Sequence, residues 1–133
     1  MKLQGFFLLC SLLFCCLGCQ SQQSKNTVKD IDSQTFQANI DKGAQLLDVR
    51  SVEEYQGGHL KAAKNINIAN QTFKKEVLDA LDKSKPVCVY CQRGARSAKA
   101  AQLMSEMGFK EIYNLSGGIE QWQSDKMPVS MEN

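Results

Sequence analysis

The sequence predicts an α/β domain in which a mainly parallel sheet of about five strands carries helices on both faces. One observation behind this is a short apolar run, KPVCVY at residues 85–90, whose β-branched residues and bounding proline suit a buried strand. A second is the stretch that follows it, SAKAAQLMSEMGF at 97–109, where Ala100, Leu103, Met104 and Met107 recur at i, i+3, i+4 and i+7 and share one helix face. The third is that such strands and helices alternate along a chain of 133 residues, long enough for one domain with one core. Alternation of this kind joins parallel strands through right-handed helical crossovers and buries the sheet on both sides.

The N-terminus stands apart from this pattern. Met1 and Lys2 supply positive charge, and an apolar run at 6–17 follows that is too short to span a bilayer comfortably. The run ends in Cys16, Leu17, Gly18 and Cys19, which resembles a bacterial lipobox, with Cys16 standing where such boxes prefer leucine. The resemblance implies a signal peptide over 1–18, lipidation of Cys19, a polar tether over 19–26, and a domain over 27–133. An uncleaved anchor or an ordinary secretory signal is the competing reading. With several acyl chains on Cys19 the protein would be stably membrane-anchored. Gln20 in place of aspartate after that cysteine then implies the periplasmic side of the outer membrane of a bacterial cell envelope.

Within the domain, residues 27–29 are expected as a short edge strand. Asp32 or Ser33 can cap a helix through about Asp41, with Phe36 and Ile40 inward and Gly43 past its end. A buried strand is expected at 44–49, a single helical turn at 52–56 and a short strand at 65–68. An amphipathic helix over 71–81 places Phe73, Val77 and Leu81 on one side, with Lys74 and Lys75 on its solvated face. After the helix of the second observation, Gly108 supplies a stop, 111–114 a strand and 117–123 a last short helix.

The stretch CQRGARS at 91–97 joins a strand end to a helix start. Backbone N–H groups of Gln92, Arg93, Gly94, Ala95 and Arg96 can converge near the Cys91 sulfur there, and the helix dipole adds positive potential. Arg93 and Arg96 add two cations. Such surroundings stabilise a thiolate, lowering a cysteine pKa from about 8.5 to roughly 3.5–7.5 in known cases. The expected site is a nucleophile in an anion-binding cup. In open parallel sheets ligands bind beyond the carboxyl ends of the strands, where Asp48 and Arg50 also fall.

Four blocks in order carry a resemblance: LLDVR at 46–50, EEYQGGHLKAAKNI at 53–66, VYCQRGARSAKAAQLMSEMGF at 89–109 and NLSGGIEQW at 114–122. Over about residues 28–129 the chain resembles a rhodanese (thiosulfate sulfurtransferase) domain of the small single-domain type. The resemblance implies that Cys91 accepts a sulfane sulfur from a small donor, thiosulfate or a persulfide, and passes it from a persulfide to a thiol or cyanide. It implies that residues 92–96 cradle the donor, with Arg93 and Arg96 recognising its charge. Asp48, Arg50 and Ser97 would support the loop, although an ordinary strand-end salt bridge also accounts for the first two. His59, Gly117, Gly118 and Trp122 read as structural. A monomer needing no cofactor is implied.

Other chemistries fit less well. Net charge is +2 with scattered basic residues, so no nucleic-acid partner is indicated. Of six cysteines only Cys88 and Cys91 lie in the domain, which rules against a disulfide scaffold. Their CxxC spacing begins inside a strand, so the pair points to opposite faces roughly 10 Å apart, beyond the disulfide reach of about 7 Å. Two cysteines and one histidine fall short of a closed zinc site, so no metal is expected. Phosphatase or arsenate reductase chemistry is the stronger rival. In those loops the arginine comes six residues after the cysteine, whereas here Arg96 comes five after Cys91 and makes a tighter cup. A non-catalytic sulfur-binding domain is the third reading.

Overall fold

The computed structural model describes residues 26–132, so the expected signal peptide, Cys19 and nearly all of the tether lie outside the described residues. Five strands form one sheet, all parallel: β1 (Thr27–Ile31), β2 (Gln45–Asp48), β3 (Lys64–Asn65), β4 (Val87–Tyr90) and β5 (Glu111–Leu115), in the order β1-β5-β4-β2-β3. Helices α1 (Ser33–Asp41), α2 (Val52–Gln56), α3 (Phe73–Ala80), α4 (Ala95–Glu106) and α5 (Gly118–Ser124) connect or follow them.

The sheet separates two cores, and the period-two alternation of the strands decides which residue enters which. Leu47, Val49, Val87, Val89 and Ile112 face Phe73 and Val77 of α3 and Ala100, Ala101 and Met104 of α4. On the other face Leu46, Cys88, Tyr90 and Leu115 meet Phe36 of α1 and Ile119 and Trp122 of α5. Phe36 packs edge-on against Trp122, whose indole N–H donates to the Pro128 carbonyl at 2.8 Å. Each fully buried Leu, Val or Phe here contributes on the order of 1.5–3 kcal/mol. Cys88 and Cys91 are both free thiols in opposite cores, which is why they cannot pair.

Local signals end the elements as their chemistry requires. Asp32 caps α1 through its carboxylate and the Thr35 N–H at 2.7 Å, and Gly43 follows the helix at φ +96. Ser51 and Glu54 form a reciprocal capping box on α2. Several bounds differ from expectation. Strand β1 continues to Ile31 because its edge pairing with β5 extends to Leu115. Strand β3 is only two residues long, since the chain turns at Asn67, whose side chain accepts the Ala69 N–H. Helix α3 starts at Phe73 rather than 71, with no side-chain cap at Thr72. No helix among the described residues is long and apolar enough to cross a membrane.

Candidate active site

The central strand β4 ends at Tyr90, and the next residue is Cys91, at the carboxyl edge of the sheet with Asp48 of β2 beside it. From Cys91 the chain curls through Gln92, Arg93 and Gly94 into α4. Gly94, at φ +104, makes the turn that aims its own N–H at the sulfur, 3.1 Å from Cys91 Sγ. Ser97 Oγ lies 3.3 Å from the same sulfur and 3.1 Å from the Gly94 carbonyl.

The loop carbonyls are held away from the cup by three neighbouring elements. Ile119 and Glu120 at the start of α5 donate their N–H groups to the Cys91 and Gln92 carbonyls, at 2.9 and 3.1 Å. The Gly94 carbonyl takes the Ala98 N–H at 3.0 Å and the Asn114 side-chain amide at 3.3 Å. With the Cys91, Gln92 and Gly94 oxygens engaged in this way, the loop can present N–H groups to the cup. Burial pushes the Cys91 thiol up, but hydrogen bonds from the Ser97 hydroxyl and the Ser97, Gly94 and Arg93 amides outweigh it, leaving the pKa below the ordinary value. Cys88 has only the burial and is pushed up to about 12.

Cys91 itself is 1 % exposed and forms the floor of an open cavity of about 290 Å³ lined also by Gln92, Arg93, Ala95 and Arg96. Sequence reasoning placed Cys91 in an anion-binding cup with the cations of Arg93 and Arg96 beside it. The structure adds the depth of the sulfur and the partners of the cations. The sulfur is recessed because Cys91 Cβ still belongs to the α3–α4 core, and both arginines are engaged by carboxylates. Arg96 makes a two-pronged pair with Glu54 at 2.7 and 2.8 Å, and Arg93 Nε lies 3.1 Å from Glu120. The Arg96 hydrogen bond, outweighing partial burial, holds the Glu54 carboxyl at about 2.

Beneath the loop, Asp48 and Arg50 form a buried brace. Arg50 Nη2 lies 2.7 Å from Asp48 Oδ2 and donates to the Gly58 carbonyl at 2.7 Å, while Nη1 reaches the Gln92 side-chain oxygen at 3.2 Å. The pair thus ties β2, the GGH turn and the loop together. His59 is also buried, stacked on Tyr55, with its ring nitrogens 3.0 and 2.8 Å from the Tyr55 and Glu132 carbonyls. Among the described residues no three His, Cys, Asp or Glu side chains gather as metal ligands.

Sequence reasoning missed Glu54, Glu120, Asn114 and the part played by Gly118. Glu54 announces a capping box with Ser51, but no local signal reports a partner 42 positions away. At Gly118, φ is +63 and a Cβ would lie 2.4 Å from the Gln92 carbonyl oxygen and 2.6 Å from the Arg93 nitrogen. Only glycine lets α5 come that close to the loop.

The rhodanese-like domain model matches residues 32–125, which contain the whole loop, the brace and α5. The chain belongs to the rhodanese-like family. Thiosulfate sulfurtransferase 18 of Arabidopsis thaliana is 32% identical over 123 residues, covering 84% of this chain and 90% of its own. Thiosulfate sulfurtransferase GlpE of Coxiella burnetii is 39% identical over 79 residues, 59% of this chain and 71% of its own. A rhodanese-related protein from Thermoplasma volcanium superimposes with a TM-score of 0.68 at 31% identity, covering 78% of this chain and 99% of that one. At the level of the family, this rhodanese-like domain is of the sulfurtransferase type.

Proposed function

We propose that this rhodanese-like protein moves a sulfane sulfur from a donor such as thiosulfate to a thiophilic acceptor through a persulfide on Cys91. The observation that carries this reading is the recessed Cys91 sulfur, met by the Gly94 N–H at 3.1 Å and the Ser97 hydroxyl at 3.3 Å. The Cys91 thiolate attacks the outer sulfur of thiosulfate. A new bond forms to Sγ, the sulfur–sulfur bond of thiosulfate breaks, and sulfite leaves with the bonding pair. An acceptor thiolate, or cyanide, then attacks the outer sulfur and Cys91 departs as thiolate. The inward amides stabilise the charge at both stages, with Arg93 and Arg96 at the mouth. In this reading the protein is a monomer. The apolar N-terminal run and Cys19 support export and lipid anchoring in the bacterial envelope, on the periplasmic side of the outer membrane.

Thiosulfate should add the mass of one sulfur atom to the Cys91 peptide, and turnover should be ping-pong and depend on an added acceptor, because Cys88 lies in the opposite core and cannot resolve the persulfide. Cys91→Ser should abolish both the mass gain and cyanide-dependent turnover, and Cys88→Ser should keep both. Retained activity in Cys91→Ser, or turnover of p-nitrophenyl phosphate without any persulfide, would refute the reading.

A further inference from the structure

The floor and the mouth of the Cys91 cup differ in their electrostatics. At the floor, N–H and O–H donors converge on the sulfur and favour one negative charge there. At the mouth, the charges of Arg96 and Arg93 are offset by Glu54 and Glu120. Glu54 grips Arg96 through two parallel bonds, with the carboxylate side chain 34% exposed, whereas the Arg93–Glu120 pair is mostly in solvent. A half-buried, two-pronged pair keeps far more of its geometry and charge compensation than an exposed single contact.

The local cap on α2 does not require Glu54 to be charged. Its place in the α2 capping box needs only a side-chain oxygen that can accept the Ser51 N–H, and glutamine supplies one equally well. The negative charge bears on Arg96, at the mouth of the cup. A dianionic donor gains little from a mouth whose two positive charges are offset by two negative ones, while a donor with at most one charge on its outer sulfur is still served by the floor.

We propose that Glu54, with Glu120 in a smaller role, determines donor specificity by turning the site away from dianionic thiosulfate and toward the persulfide of an organic thiol. This rests on the sulfurtransferase reading above. In the step concerned, the Cys91 thiolate attacks the outer sulfur of R–S–SH, a bond forms between Sγ and that outer sulfur, and the S–S bond joining it to the R–S group breaks. The departing thiolate takes the bonding pair and the proton, giving R–SH and the Cys91 persulfide anion. No external oxidant or reductant is involved.

The test compares thiosulfate with the persulfide of 2-mercaptoethanol, whose organic part is uncharged, at constant ionic strength. Glu54→Gln should raise the ratio of kcat/KM for thiosulfate over persulfide about three- to tenfold, and Glu120→Gln by less, about twofold. Independently of turnover, sulfate should protect Cys91 from iodoacetamide at about threefold lower concentration in Glu54→Gln than in the unaltered protein. An unchanged or falling ratio, with sulfate protection unchanged, would overturn the proposal and leave Glu54 as a loop scaffold. Should Glu54→Gln fail to fold, Glu120→Gln carries the same ratio and protection tests, and no change in either overturns the proposal. Absence of any Cys91 persulfide with both donors would instead refute the sulfurtransferase reading, while the sulfate measurement still decides what Glu54 does.

Discussion

Two thiols three residues apart meet opposite fates because of what surrounds each sulfur. Cys88 points into the α1–α5 core with burial alone acting on it, and its thiol is pushed up to about 12. Cys91 is also buried, yet Ser97 and the loop amides outweigh that burial and lower its pKa. A lowered value means the thiolate persists as pH falls below the ordinary cysteine value of about 8.5, and reactivity is lost only as pH falls through the folded value. Iodoacetamide should therefore alkylate Cys91 with a midpoint below that of free cysteine and leave Cys88 untouched in the native protein. Ser97→Ala removes a donor and should move the Cys91 midpoint upward. A midpoint at or above that of free cysteine would show that burial, not the loop, governs the sulfur.

The elements around the loop act by holding its carbonyls. Helix α5 does so through the Ile119 and Glu120 amides, and its close approach depends on Gly118. Gly118→Ala adds a Cβ against loop backbone at φ +63, so it should destabilise by about 2–4 kcal/mol, from the left-handed strain together with the clash. For a domain of this size the melting temperature should fall roughly 10 °C or more. The alkylation midpoint of Cys91 should rise in the same variant, because the loop must shift. Gly43→Ala is the matched comparison: its φ is +96 but nothing lies within 4 Å of the added atom. It should cost about 1–2 kcal/mol and leave Cys91 chemistry as it was. Equal effects of the two substitutions on alkylation would remove α5 from the account of the site.

For the molecule as a whole, the parallel sheet gathers the functional groups at one edge. The Asp48–Arg50 brace stands at the end of β2, Cys91 at the end of β4 and the loop-holding amides just after β5, so three strand ends converge on one cup. Under the proposed export, a low-pKa cysteine in an oxidising compartment would be protected by resting as a persulfide. In a bacterial host that processes lipoproteins, the full chain should incorporate a palmitate analogue and fractionate with membranes, and Cys19→Ala should lose the label. Labelling that survives Cys19→Ala would exclude lipid anchoring at that residue.

The sequence by itself determined the α/β class, the alternation of elements and the place of Cys91 at a strand end, because those follow from local periodicity and turn chemistry. The run VCVY, the face shared by Ala100 and Met104, and Gly43 beyond α1 each act over a few residues and leave a local mark. Even the separation of Cys88 from Cys91 follows from the two-residue period of a strand. Only the tertiary structure decided that Arg96 is paired with Glu54, that Arg50 reaches Gln92, that Asn114 holds the Gly94 carbonyl and that Gly118 must lack a side chain. Those contacts join residues 20 to 42 positions apart, and their partners are chosen by strand order and helix packing, which leave no periodic trace along the chain.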